Sequence, residues 1–269
     1  MSSAAKGRVL IVAGSDPSGG AGIQADIKTV TMLGGYASAA VSALTVQNTL
    51  GVSDILPVPA QFVADQMKAV LSDIGADCVK TGMLYSADVI HAVADIIRAH
   101  QPRVKLVIDP IMVSTSGQAL LEADAIDAMK SRLFPLATVV TPNLPEASLL
   151  AGFQIKSAED MARASEVFLG AGAEAVLMTG GHMDGSSLLD MLFPTFGEAT
   201  IIESQKISTR HTHGTGCTLA SAIAASLASG QELEEAFRRS HAFVRRALEA
   251  APGFGAGNGP LGHAAAGND

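Results

Sequence analysis

The chain is poor in cysteine and in charge, and it contains no tryptophan. Its two cysteines, Cys78 and Cys217, have no CxxC spacing, which argues against a zinc site and a disulfide framework. Charged residues make up only 16% of the 269 residues and the net charge is −8, so nucleic acid is not expected as the main partner. Apolar runs stop well short of about 18 residues, which predicts no transmembrane span. The first apolar run is too short for a signal peptide, and we predict a cytoplasmic protein.

Short apolar runs instead alternate with helical patterns along the whole chain. Helices are predicted near 21–34, 60–73, 86–99, 121–132, 158–170, 215–229 and 231–250. Repeated strand-helix units predict an α/β fold in which helices cover both faces of a mostly parallel sheet. We expect a single domain over 1–269, with a loop-like tail from about 252. Ligands of such sheets bind beyond the carboxyl ends of the strands, so functional residues are expected in the loops there.

The first of these loops is "AGSDPSGGAGIQADIKT", whose glycines, including Gly14, allow close approach of backbone to a ligand. It is neither a Walker A loop nor a GxGxxG fingerprint. Asp16 and Asp26 are candidate ligand contacts, although Asp26 equally suits a solvated first helical turn. The alternative for the whole segment is an ordinary turn capped by Ser18.

Two further strand ends carry polar residues with two open interpretations each. Gln47, in "LTVQNTLGV", is either a turn residue or a partner for a heterocycle through both sides of its amide. The hydroxyl-rich loop 114–117, after "VIDPIM", either reaches a nucleotide or is only a turn.

The segment "TPNLPEASLL" is typical of a helix start. Asn143 suits the N-cap, Pro145 the first turn and Glu146 the positive end of the helix dipole, so capping alone explains it. The functional alternative is that Asn143 and Glu146 hold a hydrated Mg²⁺ that bridges nucleotide phosphates.

A second helix start, "HTHGTGCTLASA", is rich in glycine. Backbone N–H groups of Gly214, Thr215 and Gly216 would point at one spot, which suits a phosphoryl anion. Cys217 lies in the first turn, where a lowered thiol pKa is expected; the alternative is a small buried apolar residue. His211 and His213 are interpreted as loop or cap residues.

Seven segments in order carry a resemblance to a known family: "AGSDPSGGAGIQADIKT", "VQNTLGV", "KTGML", "DPIMVSTSG", "TPNLPEA", "GGH" and "HTHGTGCTLASA". Together they resemble the ribokinase-like superfamily, and within it the hydroxymethylpyrimidine/phosphomethylpyrimidine kinases of thiamine biosynthesis. The resemblance implies a three-layer α/β/α sandwich and two ATP-dependent phosphorylations. These convert 4-amino-5-hydroxymethyl-2-methylpyrimidine to its monophosphate and then to its diphosphate. It also implies Mg²⁺, ATP as donor and a homodimer.

The resemblance also implies roles for individual residues. Cys217 would be the catalytic base, and Gly214, Thr215 and Gly216 would form the anion hole, the set of backbone N–H groups that faces the transferring phosphoryl group. The pyrimidine would contact Gln47, Asp26 and Gly14, with Ala21 and Ile111 as an apolar wall. Asn143 and Glu146 would serve the magnesium ion, and the nucleotide side would include Asn143, Thr179 and Gly181.

One departure from the family pattern concerns the nucleotide side. Many relatives have a lysine that contacts ATP phosphates where this chain has Thr179, in "MTGGH". A neutral hydroxyl does not replace a point charge, so weaker nucleotide affinity is expected. The missing lysine leaves open a catalytically weak ligand-binding homologue. A pyridoxal or pyridoxine kinase of vitamin B6 salvage also stays open, because the resemblance implies that the same fold phosphorylates a hydroxymethyl group on a different six-membered nitrogen ring.

Overall fold

A computed structural model describes residues 7–100, 102–113, 120–122, 124–180 and 187–267. Gly181 and the hydroxyl-rich loop 114–117 lie outside these ranges. One nine-stranded sheet has the order β3-β2-β1-β4-β5-β6-β7-β8-β9. The pairings from β2 to β7 are parallel, whereas β3, β8 and β9 pair antiparallel at the two edges.

The strands are β1 Arg8–Ser15, β2 Tyr36–Asn48, β3 Gly51–Pro57, β4 Cys78–Thr81, β5 Lys105–Ile108, β6 Val139–Val140, β7 Ala175–Met178, β8 Ser187–Pro194 and β9 Thr200–Gln205. The helices are α1 Gly22–Met32, α2 Ala60–Asp73, α3 Ala87–Ala99, α4 Ala125–Ala128, α5 Leu144–Ala151, α6 Ala158–Gly170, α7 Thr215–Ala228, α8 Leu233–Glu249 and α9 His263–Ala266.

Two apolar cores lie on opposite faces of this sheet. Side chains of β1 alternate between them: Leu10 and Val12 pack with α2 and α3, and Val9 and Ile11 pack with α7. A strand covered on both faces must be apolar at every position, which explains the unbroken run at β1. The predicted α/β/α sandwich is therefore confirmed.

Three local expectations differ from the structure. The chain after β2 turns back as the antiparallel strand β3, which the sequence reading did not identify. The helix predicted at 121–132 is the short α4, followed by a π turn at Met129–Leu133 and a 3-10 turn at Phe134–Leu136. The expected loop-like tail ends in the short helix α9, and Leu261 and His263 there are buried. The single-domain assignment stays a prediction.

No helix in the described part of the chain is both long and apolar enough to cross a bilayer.

Candidate active site

One cavity of about 650 Å³ lies where the parallel strands end, between the starts of α1, α5 and α7. Most of the residues predicted from the sequence line it together: Gly14, Ala21, Gln47, Ile111, Asn143, Glu146, Thr179, Gly214, Thr215, Gly216 and Cys217. A cavity of this size is typical of a small-molecule site. Residues from distant parts of the chain thus converge as the parallel sheet requires.

Asp26 is the exception among the predicted substrate contacts. Its side chain is fully buried behind the cavity wall, and both carboxylate oxygens lie 2.9 Å from Lys80 Nζ. Ser221 Oγ donates to the same carboxylate at 2.7 Å. Because these donors occupy the carboxylate, the structure corrects the prediction of a direct ligand contact: Asp26 positions Lys80 instead. The solvated-turn alternative is also wrong.

The start of α7 has the geometry expected of an anion site. Gly214 adopts φ +86°. The Thr215 N–H, predicted to face the anion, instead donates back to the Thr212 carbonyl oxygen at 3.2 Å. No acceptor among the described residues takes the backbone N–H of Gly216 or Cys217. Free N–H groups at the positive end of a 14-residue helix attract an anion from the cavity.

The Cys217 thiol does not have the lowered pKa that its position in the sequence predicts. It is buried, at 6% exposure, and burial raises its pKa. The nearby carboxylates Asp109 and Asp26 raise the pKa further, while the charge of Lys80 opposes them. The helix start is a local feature, but Asp109 directly follows β5 and Asp26 lies in α1, so the first turn alone is a poor guide to the thiol pKa.

A buried charged cluster is formed by Lys80 and Asp109, which line the cavity, and by Asp26, which lies behind the cavity wall. Lys80 Nζ lies 3.7 Å from Asp109 Oδ2 in addition to its contacts with Asp26. Burial acts to lower the pKa of Lys80, but the neighbouring negative charges outweigh it and raise that pKa. Lys80 therefore stays charged, and its charge acts to lower the thiol pKa of Cys217.

The start of α5 confirms the capping interpretation of "TPNLPEA". The Glu146 N–H donates to Asn143 Oδ1 at 2.9 Å, and the Asn143 N–H donates to Glu146 Oε2 at 3.0 Å. Burial and the charge of Asp109 raise the pKa of Glu146 to about 8. Asp109 Oδ2 has no hydrogen-bond partner among the described residues. Two buried carboxyl groups that repel each other are chemically suited to a hard divalent cation.

The opposite end of the cavity contains Gln47 beside a buried histidine. His213 Nε2 lies 2.8 Å from Asp16 Oδ2 and 3.3 Å from Gln47 Nε2. Ser18 donates to Asp16 and does not cap α1, whose N-cap is Ala21. The alternative for this loop, a turn capped by Ser18, is therefore wrong about the capping residue.

Thr179 lies on the cavity wall after β7, and its N–H donates to the Pro142 carbonyl oxygen at 3.4 Å. Beyond it, the Gly180 N–H donates to Asp190 Oδ1 at 2.9 Å, and burial raises the pKa of Asp190 to about 6. This part of the wall also contains Lys206 and Arg245.

Comparison with known proteins decides the family. The model of the phosphomethylpyrimidine kinase family matches residues 16–262, nearly the whole chain. The chain belongs to this family. Its members include the hydroxymethylpyrimidine/phosphomethylpyrimidine kinase of Rhizobium meliloti, to which the chain is 46% identical over 258 residues. That alignment covers 94% of this chain and 96% of the relative.

The chain is also similar to a second curated relative and to a solved structure. The chain is 48% identical over 264 residues to the thiamine biosynthesis bifunctional protein ThiED of Geobacter sulfurreducens. That match covers 98% of this chain but 54% of the longer relative. Among solved structures, pyridoxal kinase of Bacillus subtilis in complex with ADP superposes with a TM-score of 0.88 and 35% identity, covering 96% of this chain and 98% of that one.

Three polar residues of this phosphomethylpyrimidine kinase cavity were missed as site residues by sequence reasoning. Neither Lys80 nor Asp109 was predicted as a site residue, and His213 was interpreted as a loop or cap residue. One signal was available for Lys80: a lysine in the short strand "CVKT" must be paired, since all four residues of β4 are buried. His213 has no such signal, because its partner Asp16 is 197 residues away.

Proposed function

We propose that this protein transfers the γ-phosphoryl group of ATP to the hydroxymethyl group of 4-amino-5-hydroxymethyl-2-methylpyrimidine, and then phosphorylates the monophosphate to the diphosphate. The observation that supports this best is the arrangement of one cavity. Gln47 at one end suits a heterocycle, the anion hole lies at the start of α7, and Asn143 and Glu146 lie at the start of α5. The names of the relatives favour the same chemistry.

Phosphoryl transfer requires positioning and charge stabilisation more than covalent help. The free N–H groups of Gly216 and Cys217 would face the γ-phosphoryl group as its charge shifts toward the leaving oxygen. The cavity walls would keep water from that group and so limit wasteful ATP hydrolysis. These residues can therefore orient and stabilise the reacting groups without forming a covalent intermediate.

Mg²⁺ fits the buried pair Asp109 and Glu146 described above. Among the described residues there is no cluster of three or more His, Cys, Asp or Glu side chains suited to a resident metal. We therefore propose that Glu146, with Asn143, holds a hydrated ion that arrives with ATP and neutralises phosphate charge. Glu146 and Asp109 themselves would stay ionised more readily beside such a cation.

The runner-up function is a pyridoxal kinase, which the structural likeness to the Bacillus subtilis enzyme favours. Coupled ADP release separates the candidates when hydroxymethylpyrimidine, its monophosphate and pyridoxal are offered separately with MgATP. We expect turnover of the first two. Turnover of pyridoxal alone would replace the proposal, and turnover of none would leave a ligand-binding homologue.

Replacement of Cys217 tests whether the thiol takes the hydroxyl proton, which it can do only as a thiolate and therefore against the raised pKa described above. We expect Cys217→Ala to lower kcat by about 100-fold, in the range typical for loss of a general base. The kcat of Cys217→Ser should lie between those of Cys217→Ala and the unchanged protein, because a loose transition state releases the proton late. Steady-state kinetics with unchanged melting temperature would support this; equal kcat in all three proteins would remove the thiol from proton transfer.

Thr179→Lys tests the departure from the family pattern. A lysine at this point of the cavity wall would add a charge-assisted contact to ATP phosphates, so we expect the KM for ATP to fall about tenfold. Thr179→Met is the matched control, since it adds a long side chain without charge. An equal KM in the lysine and methionine variants would show that the site does not need a cation there.

We further propose that the edge hairpin β2–β3 mediates a homodimer. Leu44 and Leu56 lie opposite each other on it and are 46% and 66% exposed, and Val46 beside them is 60% exposed. An exposed apolar patch on a strand edge favours association with a second copy. Sedimentation equilibrium tests this, and a monomer at micromolar concentration would contradict it.

A further inference from the structure

Four polar side chains form a hydrogen-bonded series along the Gln47 end of the cavity. It begins at Asp16, passes through His213 to the Gln47 amide, and ends at Thr45, and all four residues line the cavity. His213 Nε2 contacts both Asp16 Oδ2 and Gln47 Nε2, as given above. Thr45 Oγ1 lies 3.0 Å from Gln47 Oε1 and 2.9 Å from the Ser15 carbonyl oxygen.

At one end of this series, the Asp16 carboxylate only accepts hydrogen bonds. It takes the Ser18 N–H at 2.8 Å, the Ser18 hydroxyl at 2.9 Å and the Ala21 N–H at 2.9 Å. Since an ionised carboxylate has no proton to give, His213 Nε2 must carry the proton of the 2.8 Å contact. An amide N–H of Gln47 placed against that N–H would have no acceptor.

The Thr45 end gives the same answer independently. A hydroxyl has a single proton, and the backbone carbonyl of Ser15 can only accept it. Thr45 Oγ1 therefore has a lone pair, not a proton, for the Gln47 amide. When the amide is turned by half a rotation, Nε2 donates to Thr45 Oγ1, and Oε1 faces the His213 N–H that donates to Asp16, so two N–H groups no longer face each other.

We propose that Asp16 and His213 are positioning residues that, with Thr45, hold the Gln47 amide in this one orientation and so select an aminopyrimidine. One lone pair of Oε1 and one N–H of Nε2 then stay available to a ligand. This donor-acceptor pair matches a ring nitrogen beside an exocyclic amine. The inference rests on the proposed function, because a pyridoxal ring has no amine next to its ring nitrogen.

The His213 ring is held firmly enough for this task. Its backbone N–H donates to the Gly259 carbonyl oxygen at 3.1 Å, and a Cβ at Gly20 would overlap the ring. The same added atom would lie 3.3 Å from Pro260 Cβ. The ring is thus packed between the first loop and the tail.

Isothermal titration calorimetry without ATP tests the proposal. The probes are 4-amino-5-hydroxymethyl-2-methylpyrimidine and its analogue without the 4-amino group. We expect the preference of the unchanged protein for the amino compound to shrink about tenfold in His213→Leu, because the amide can then reverse. His213→Gln retains an N–H donor at a similar reach, and it should restore most of the preference.

Thr45→Val provides a second test at the other end of the hydrogen-bonded series, because valine has the same shape as threonine but no hydroxyl. It should shrink the same preference, and it decides the question if His213→Leu does not fold. Equal weakening of both probes by His213→Leu or by Thr45→Val would overturn the proposal, since a merely structural role affects both ligands alike. If the unchanged protein binds neither probe, the proposed function fails instead, and pyridoxal binding then identifies the alternative.

Discussion

Lys80→Met is expected to lower the free energy of unfolding by about 3–5 kcal/mol, because it leaves a fully buried carboxylate without its cation. Asp26 and Lys80 have no exposed side-chain surface, and Ser221 alone would remain as a donor to Asp26. Kinase activity should also fall in Lys80→Met. The Lys80 ammonium group lies beside Asp109, and its charge partly offsets the rise in the thiol pKa of Cys217. Urea unfolding at pH 7 measures the first effect.

Two further variants distinguish the cost of a buried unpaired charge from the cost of losing an ion pair of any kind. Arg103→Met breaks the exposed pair with Glu174, whose side chains are 60% and 53% exposed, and it should cost at most about 1 kcal/mol. Lys80→Met combined with Asp26→Asn removes the unpaired charge and should recover part of the stability. A cost for Lys80→Met no larger than that for Arg103→Met would contradict the role of the buried cluster.

Gly214→Ala is expected to reduce kcat/KM at least about 100-fold, since small displacements of reacting groups are this costly. A Cβ at Gly214 would overlap the Gly20 carbonyl oxygen and lie 3.2 Å from Ala21 Cα. The loop before α1 and the start of α7 would have to separate. The anion hole would then move away from the Gln47 end of the cavity, which that first loop helps to form.

Gly230→Ala is the matched control, after the other end of α7. Its φ of +90° is as unusual as that of Gly214, but an added Cβ meets nothing within 4 Å. It should cost about 1 kcal/mol of stability through backbone strain and leave the kinetics unchanged. Similar kinetic losses in the two variants would assign the Gly214 effect to strain and not to the contact between loops.

Local patterns were sufficient for much of the fold. The helix predicted at 60–73 is α2, Ala60–Asp73, and that at 158–170 is α6, Ala158–Gly170. The edge strand β3 was missed because "GVSDILP" is partly exposed and has no continuous apolar run. The helix near 121–132 was overestimated because its later turns widen into a π turn before Pro135.

The candidate site could be located from sequence but not described electrostatically. Asn143 and Glu146 show why: one pattern specified both a capping box and a candidate metal site, and the two uses share the same residues. Cys217 shows the limit, because its position at a helix start predicted the wrong direction for its pKa. Burial and two carboxylates from other segments determine that direction.

The amino-acid sequence by itself determined most of the strands and helices, the glycine-rich helix start and the loops that meet at one end of the sheet, because these depend on neighbours a few residues apart. Only the tertiary structure decided which charges are paired. Lys80 meets Asp26 across 54 residues, and His213 meets Asp16 across 197. Coulomb energy and desolvation depend on distance and burial in space, and a linear pattern contains neither.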